Sequence, residues 1–320
     1  VSLSSDGRTV AIGAPYSDGV NSDGVNSDGV NSASNSGHVR IYEYSDGSWT
    51  QLGGDIDGDI DGEAAGDQSG RSVSLSSDGL TVAIGAPYNN GLDGTSNNAG
   101  HVRIYRYSGG SWPQLGVNID GEATADQSGI SVSLSSDGST VAIGAEFNDG
   151  FNSDSSTSGH VRIYQWDPTV APTGSWKQKG VDIDGEKDGD QSGISVSLSS
   201  DGSTVAIGAQ SNNGLNSSYS GHVRIYQWNA ATKLWEQKAG DIDGEASYDQ
   251  SGFSVSLSSD GSTVAIGALY NDGLNGPNSG HVRIYTLSSA AKFTPNEVIE
   301  DRSYTISVDN YDNAESSFTW

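Results

Sequence analysis

The sequence predicts an all-β fold, a five-bladed β-propeller of four-stranded antiparallel blades, and three observations predict it. VSLSSDG begins at Val1, Val73, Val132, Val196 and Val255, and GHVRIY at Gly37, Gly100, Gly159, Gly221 and Gly280, so a unit of about 60 residues runs through the chain five times. Glycine makes up 44 of the 320 residues and hydrophobic residues 33%, the composition of short apolar runs separated by many turns. Val, Ile, Leu, Tyr and Trp recur in fixed alternation without a helical period, which sets a folded β chain apart from a disordered acidic one.

Within each unit, VSLSSDGxTVAIGA reads as a hairpin, because Asp-Gly is a strong two-residue turn signal and its flanks alternate. Closing the turn at Asp78 and Gly79 sets Leu75 opposite Val82 and Val73 opposite Ile84, leaving Ser74 and Ala83 on the other face. That small-residue face suits the close approach of a neighbouring sheet around a central axis. A loop rich in Gly, Asn, Asp and Ser follows, then the third strand, GHVRIY, then a turn and a fourth segment starting at Trp49, Trp112, Trp176 or Trp235. A β-solenoid is the competing architecture, but its rungs are much shorter than these units. The first interval between copies is lengthened by a duplicated DIDG at 55–62. The VNSDG tandem between Ser17 and Asn31 reads as a repeat expansion in an exposed loop.

Blade five reaches Tyr285 without a WxQxG segment, so the propeller is expected to span 1–286 and a tail 287–320. In the tail Tyr304, Ile306 and Val308 alternate with Ser303, Thr305 and Ser307, the pattern of one strand. Such a strand fills the open edge of its own ring or of a neighbour's, and head-to-tail exchange between copies of the chain would build filaments.

The net charge of −26, from 41 Asp and Glu against 15 Lys and Arg, repels phosphate backbones and anionic membrane surfaces. Nucleic acid is therefore not an expected partner, whereas cations or a cation-rich medium are natural company. With no cysteine, disulfides and thiolate metal sites are excluded, and no run of about 18 apolar residues offers a membrane span. Val1 falls inside a repeat, with neither initiator Met nor signal peptide, which reads as a processed product or part of a longer chain.

SGFSVSLSSDG at 251–261, AIGAP at 11–15 and 83–87, and the HVRIY strands resemble the FG-GAP repeats of integrin α-chain heads and microbial surface proteins. The resemblance covers residues 1 to 286 and implies an extracellular or cell-surface propeller. It departs from the family in three places: the remaining copies read GAE, GAQ and GAL, most copies lack the Phe, and five blades stand where integrin heads have seven.

An acidic loop precedes each of blades two to five: Asp59, Asp61, Glu63 and Asp67; Asn118, Asp120, Glu122 and Asp126; Asp182, Asp184, Glu186 and Asp190; Asp241, Asp243, Glu245 and Asp249. Oxygen ligands at alternating positions, with a Gly for the sharp turn, are what calcium needs from one loop. The pattern also resembles the family's calcium loop, although that loop joins the first and second strands, where this chain has the short SSDG turn. The other reading is structural: the Asp ends strand four, Asp-Gly turns, and Glu and the later Asp bond backbone amides or the Arg of GHVR. A second set of oxygen-rich loops, Asn148, Asp149 and Asn152 or Asn271, Asp272 and Asn275, is explained by turn formation.

His38, His101, His160, His222 and His281 occupy one place in the repeat, as do Arg40, Arg103, Arg162, Arg224 and Arg283. A catalytic base is needed once, so residues present in every blade read as packing and hydrogen-bonding elements. The four Trp residues read either as blade-edge packing or as stacking faces for sugars. Asn216 heads a glycosylation sequon with Ser218. Because the carboxylates repeat as well, the expected function is a non-enzymatic, extracellular structural or adhesive module that partners copies of itself, other surface proteins or glycans. A multivalent lectin is the alternative, and a glycosidase, which needs two carboxylates in distinct environments, the third.

Overall fold

The structure, a computed structural model, describes residues 1–17, 35–57, 65–91, 97–150, 157–170, 174–214, 217–272 and 276–287. The inner hairpins form in the expected register, with Val73 facing Ile84, Ser74 facing Ala83 and Leu75 facing Val82. Gly79 takes the left-handed conformation that the turn requires, at φ 70°. Ser76 Oγ accepts the Thr81 N–H at 2.9 Å and donates to Asp78, so the turn satisfies its own polar groups.

Blade three shows the full pattern: Ser131–Leu134, Thr140–Ala145, His160–Asp167, and an outer strand in two pieces, Ser175–Gln178 and Ile183–Asp184. Both outer pieces pair with the third strand, Tyr164 facing Gln178 and Val161 facing Ile183. Blades one and four repeat this arrangement, and blade two carries Ile119–Asp120 with isolated bridges at Gln114 and Ser111. Blade five shows Ser251–Leu257, Thr263–Ala268 and His281–Thr286 among the described residues. In blade one the first copy of the duplicated DIDG takes the ladder, with Ile56 facing Val39 and Asp57 facing His38.

The five sheets stand around one axis as a propeller, with the first strand of each blade innermost. The face that the hairpin alone makes small is filled by the third strand, because Ala83 lies opposite Ile104 and Gly85 opposite Val102. That combined face packs on the aliphatic face of the next blade, where Leu134, Val141, Ile143 and Trp176 meet it in one buried cluster. Near the axis the blades touch backbone to backbone: a Cβ on Gly144 would run into the carbonyl oxygen of Gly193. In blades one to four an inner-strand serine then accepts an amide from the next blade, as Leu134 N–H to Ser74 Oγ and Leu198 N–H to Ser133 Oγ, both at 2.9 Å. The expected tail strand at Tyr304, Ile306 and Val308 lies outside the described residues.

Candidate active site

The acidic loops distribute their side chains in several directions. Asp126, Asp190 and Asp249 are buried and accept the Nδ2–H of Asn148, Asn212 and Asn271 at 3.1, 2.9 and 2.9 Å. Asp126 also accepts the amides of Glu122 and Ala123, so it fastens its own loop to the loop after the second strand. Asp67 does the same with Asn89 at 2.7 Å. The first position of each set turns back to the outer strand: Gln114 donates to Asn118 at 2.9 Å and Gln237 to Asp241 at 2.8 Å. Blade one uses Asp55 for this, holding Arg40 at 2.9 Å, while Asp59, Asp61 and Glu63 lie outside the described residues. Asp120, Asp184 and Asp243 end the outer strand, and burial raises the pKa of each. Glu122, Glu186 and Glu245 reach to the following blade, their carboxylates 3.4, 3.8 and 3.3 Å from Arg162, Arg224 and Arg283. One loop therefore does not gather its four oxygens around one point.

The repeated cations serve the blade junctions, as their recurrence predicts. Arg162 and Arg224 donate Nη2–H to the carbonyls of Asp120 and Asp184 at 2.7 and 2.6 Å, and each guanidinium lies over its own strand's tyrosine, Tyr164 or Tyr226. His160 and His222 are buried beside them, and desolvation, followed by the nearby Arg, brings both imidazoles down to about 4. Trp112, Trp176 and Trp235 are buried, each donating Nε1–H to a carbonyl of the preceding blade, Leu52, Leu115 or Lys179, at 2.7, 2.8 and 2.7 Å. Buried in this way, these three rings have no face to offer a sugar. Asn216 lies outside the described residues.

Symmetry breaks at one end of the inner strands. At the hairpin-turn end, a leucine and a serine from every blade, such as Leu134 and Ser136, line a cavity of about 180 Å³ that contains no titratable group. At the opposite end Arg71 and Ile130 precede the first strands of blades two and three, Ile194 and Phe253 hold the same repeat position inside those of blades four and five, and the second strands are followed by Pro87, Glu146, Gln210 and Leu269. Gln210 donates to Gln191 Oε1 at 3.2 Å, so in blade four the polar side chain at this position is bonded to the segment leading into its own first strand. Glu146, only 6% exposed, has no hydrogen-bond donor among the described residues. Burial pushes its carboxyl up to about 7, and the opposing influence is the Arg71 guanidinium of blade two. A carboxyl that titrates near neutrality under the influence of an exposed arginine is equipped to take and return a proton. Neither residue is repeated, and the signal that marks Glu146 in the sequence is the departure of GAE from GAP.

The strands and blade junctions define a five-bladed β-propeller, and the FG-GAP repeat family model matches residues 236–285. Among solved structures, the chain is similar to the periplasmic gluconolactonase of Pseudomonas aeruginosa, at 15% identity and a TM-score of 0.50, over 83% of this chain and 63% of that one. It is also similar to a proposed 6-phosphogluconolactonase from Bacteroides uniformis, at 14% identity and a TM-score of 0.45, over 76% of this chain and 54% of that one. No curated protein is significantly similar to the chain. The chain thus spans less than two thirds of either solved propeller, and at these identities the likeness shows the fold.

These findings correct the expectation of a non-enzymatic structural or adhesive module, and with it that of a lectin. That expectation rested on symmetry, yet a similar propeller carries the name of an enzyme. The inference failed because repetition of a scaffold does not require repetition of a site: one changed side chain in one blade is sufficient for chemistry.

Proposed function

We propose that this propeller is a hydrolase of a cyclic ester, of the sugar-lactone class, with its site at Glu146 and Arg71. The observation that carries the reading is Glu146 itself, a buried carboxyl without a hydrogen-bond partner among the described residues, at a position where the other blades have Pro15, Pro87, Gln210 and Leu269. The likeness to the Pseudomonas gluconolactonase supports the substrate class. In this mechanism ionised Glu146 takes a proton from a water molecule as its oxygen attacks the lactone carbonyl. Arg71 stabilises the oxyanion that forms. Collapse breaks the ring C–O bond, Glu146 returns the proton to the departing alkoxide, and the products are a hydroxyl and a carboxylic acid that ionises in water. We also place the activity outside the cytoplasm, a reading supported by the resemblance to cell-surface repeats and by the periplasmic location of the Pseudomonas enzyme.

The test is hydrolysis of gluconolactone by the wild-type chain, Glu146→Gln and Arg71→Gln, read against the buffer rate. Removing the base is expected to lower kcat by about 10²–10⁴, and the wild-type rate should rise with pH through about 7. A wild-type rate equal to buffer, or a Glu146→Gln variant as fast as wild type, overturns the reading.

A further inference from the structure

We infer that Glu122, His160 and Asp182, and again Glu186, His222 and Asp241, form two sites for a divalent transition-metal ion that ties a blade to the connection entering it. In each trio one ligand atom per residue lies within 4.8 Å of the others. The carboxylates belong to the sets read in the sequence as single calcium loops, but the grouping crosses repeats. Glu122 comes from the connection between blades two and three, His160 from the third strand of blade three, and Asp182 from just before the second piece of that blade's outer strand.

The second, independent observation is the histidine. His160 and His222 are each 1% exposed, and Nε2 of both is buried without a hydrogen-bond partner. His160 Nδ1, the nitrogen on the other side of the ring, faces Glu122 Oε2 from 3.9 Å, beyond hydrogen-bond reach, so among the described residues the imidazole has no protein hydrogen-bond partner and presents Nδ1 to the carboxylate. A buried imidazole without a partner is costly; Nε2 is orphaned at His281 as well, so what sets His160 and His222 apart is that two carboxylates gather beside the ring, as a ligand would require.

The glutamate is divided to suit such a ligand. Oε1 of Glu122 faces Arg162 at 3.4 Å while Oε2 faces the imidazole, so the arginine neutralises one oxygen and leaves the other to the ion. Blade five repeats this fork, with Glu245 Oε1 3.3 Å from Arg283 and Oε2 3.7 Å from His281, and has no third carboxylate among the described residues. Two carboxylates with one imidazole nitrogen suit zinc, cobalt or nickel better than calcium, which prefers six to eight oxygens. Glu122 is exposed and Asp182 half-buried, so water can complete the coordination and both carboxylates can close on the ion.

The chelator-treated full chain, titrated with Co²⁺ by calorimetry and visible absorption and with Zn²⁺ by thermal melting, tests this. His160→Ala and His222→Ala should each remove one equivalent of Co²⁺ and part of the Zn²⁺-induced rise in melting midpoint, and the double variant should remove two. Glu122→Gln and Glu186→Gln leave the buried rings in place and should lower the same stoichiometry, which keeps the test open if a histidine variant misfolds. Absence of Co²⁺ binding, or a stoichiometry unchanged in the double variants, overturns the inference. So does a Ca²⁺-induced stabilisation of equal size in wild type and double variant without Co²⁺ uptake, which would return the ion to an oxygen-only loop.

Discussion

Blades two and five carry the same third strand, HVRIY, in different surroundings. Val102 and Ile104 are 0% and 1% exposed, while Val282 and Ile284 are 67% and 61% exposed. The first blade shows the same contrast from the other side: Trp176 is buried against Leu115 of the preceding blade, whereas Trp49 is 48% exposed. Serine-to-leucine bonds join blades one to two, two to three, three to four and four to five, and the described residues hold no such bond onto Leu3. Identical residues therefore contribute differently, because burial in a propeller is supplied by the neighbouring blade and not by the repeat itself.

Substitutions at matched positions sharpen that contrast. Ile104→Ala should destabilise by about 4 kcal/mol, as truncation in a filled core does, and Ile284→Ala by under about 1 kcal/mol, both measured by urea unfolding. Equal costs would mean that the face of blade five is covered in solution. Next comes the axial glycine: Gly144→Ala meets backbone of the next blade and should cost about 3 kcal/mol. Gly267→Ala meets the hydroxyl of Ser254 in its own blade and should cost clearly less, since a hydroxyl can rotate away.

A third contrast sets Glu146 against Gln210, its hydrogen-bonded counterpart in blade four. The folded pKa of about 7 stands above the ordinary 4.5, so the protonated form is linked to the fold. The stability it supports is complete below pH 4.5 and is lost as pH rises through 7. Glu146→Gln should accordingly gain on the order of 2 kcal/mol over wild type at about pH 8 and little at about pH 4. A gain independent of pH would show that Glu146 is not held as the structure describes. Smallest is the indole bond: Trp176→Phe should lose about 1 kcal/mol, and Trp49→Phe should leave the melting midpoint unchanged.

What could be read before the structure was what is encoded locally. The Asp-Gly turns, the register of Val73, Ser74 and Leu75, the number of blades and the structural duty of the repeated Arg follow from alternation, turn chemistry and recurrence, whereas burial decided between packing and sugar stacking for Trp112, Trp176 and Trp235. The duplicated DIDG offers two adjacent copies of one pattern, and pairing with Val39 puts the first on the outer strand, while Asp59, Asp61 and Glu63 of the set read in the sequence lie outside the described residues. The candidate site residues were less legible. GAE is visible as a departure, but a departure in one letter has no meaning until its surroundings are known.

The sequence by itself determined strands, turns, repeat count and charge, since each depends on neighbours a few residues apart. Only the tertiary structure decided that Arg71 of blade two acts on Glu146 of blade three, and that Glu122 joins His160 and Asp182 instead of Asp126. The physical reason is that these groups meet across blade boundaries, where separation along the chain carries no information about distance in space.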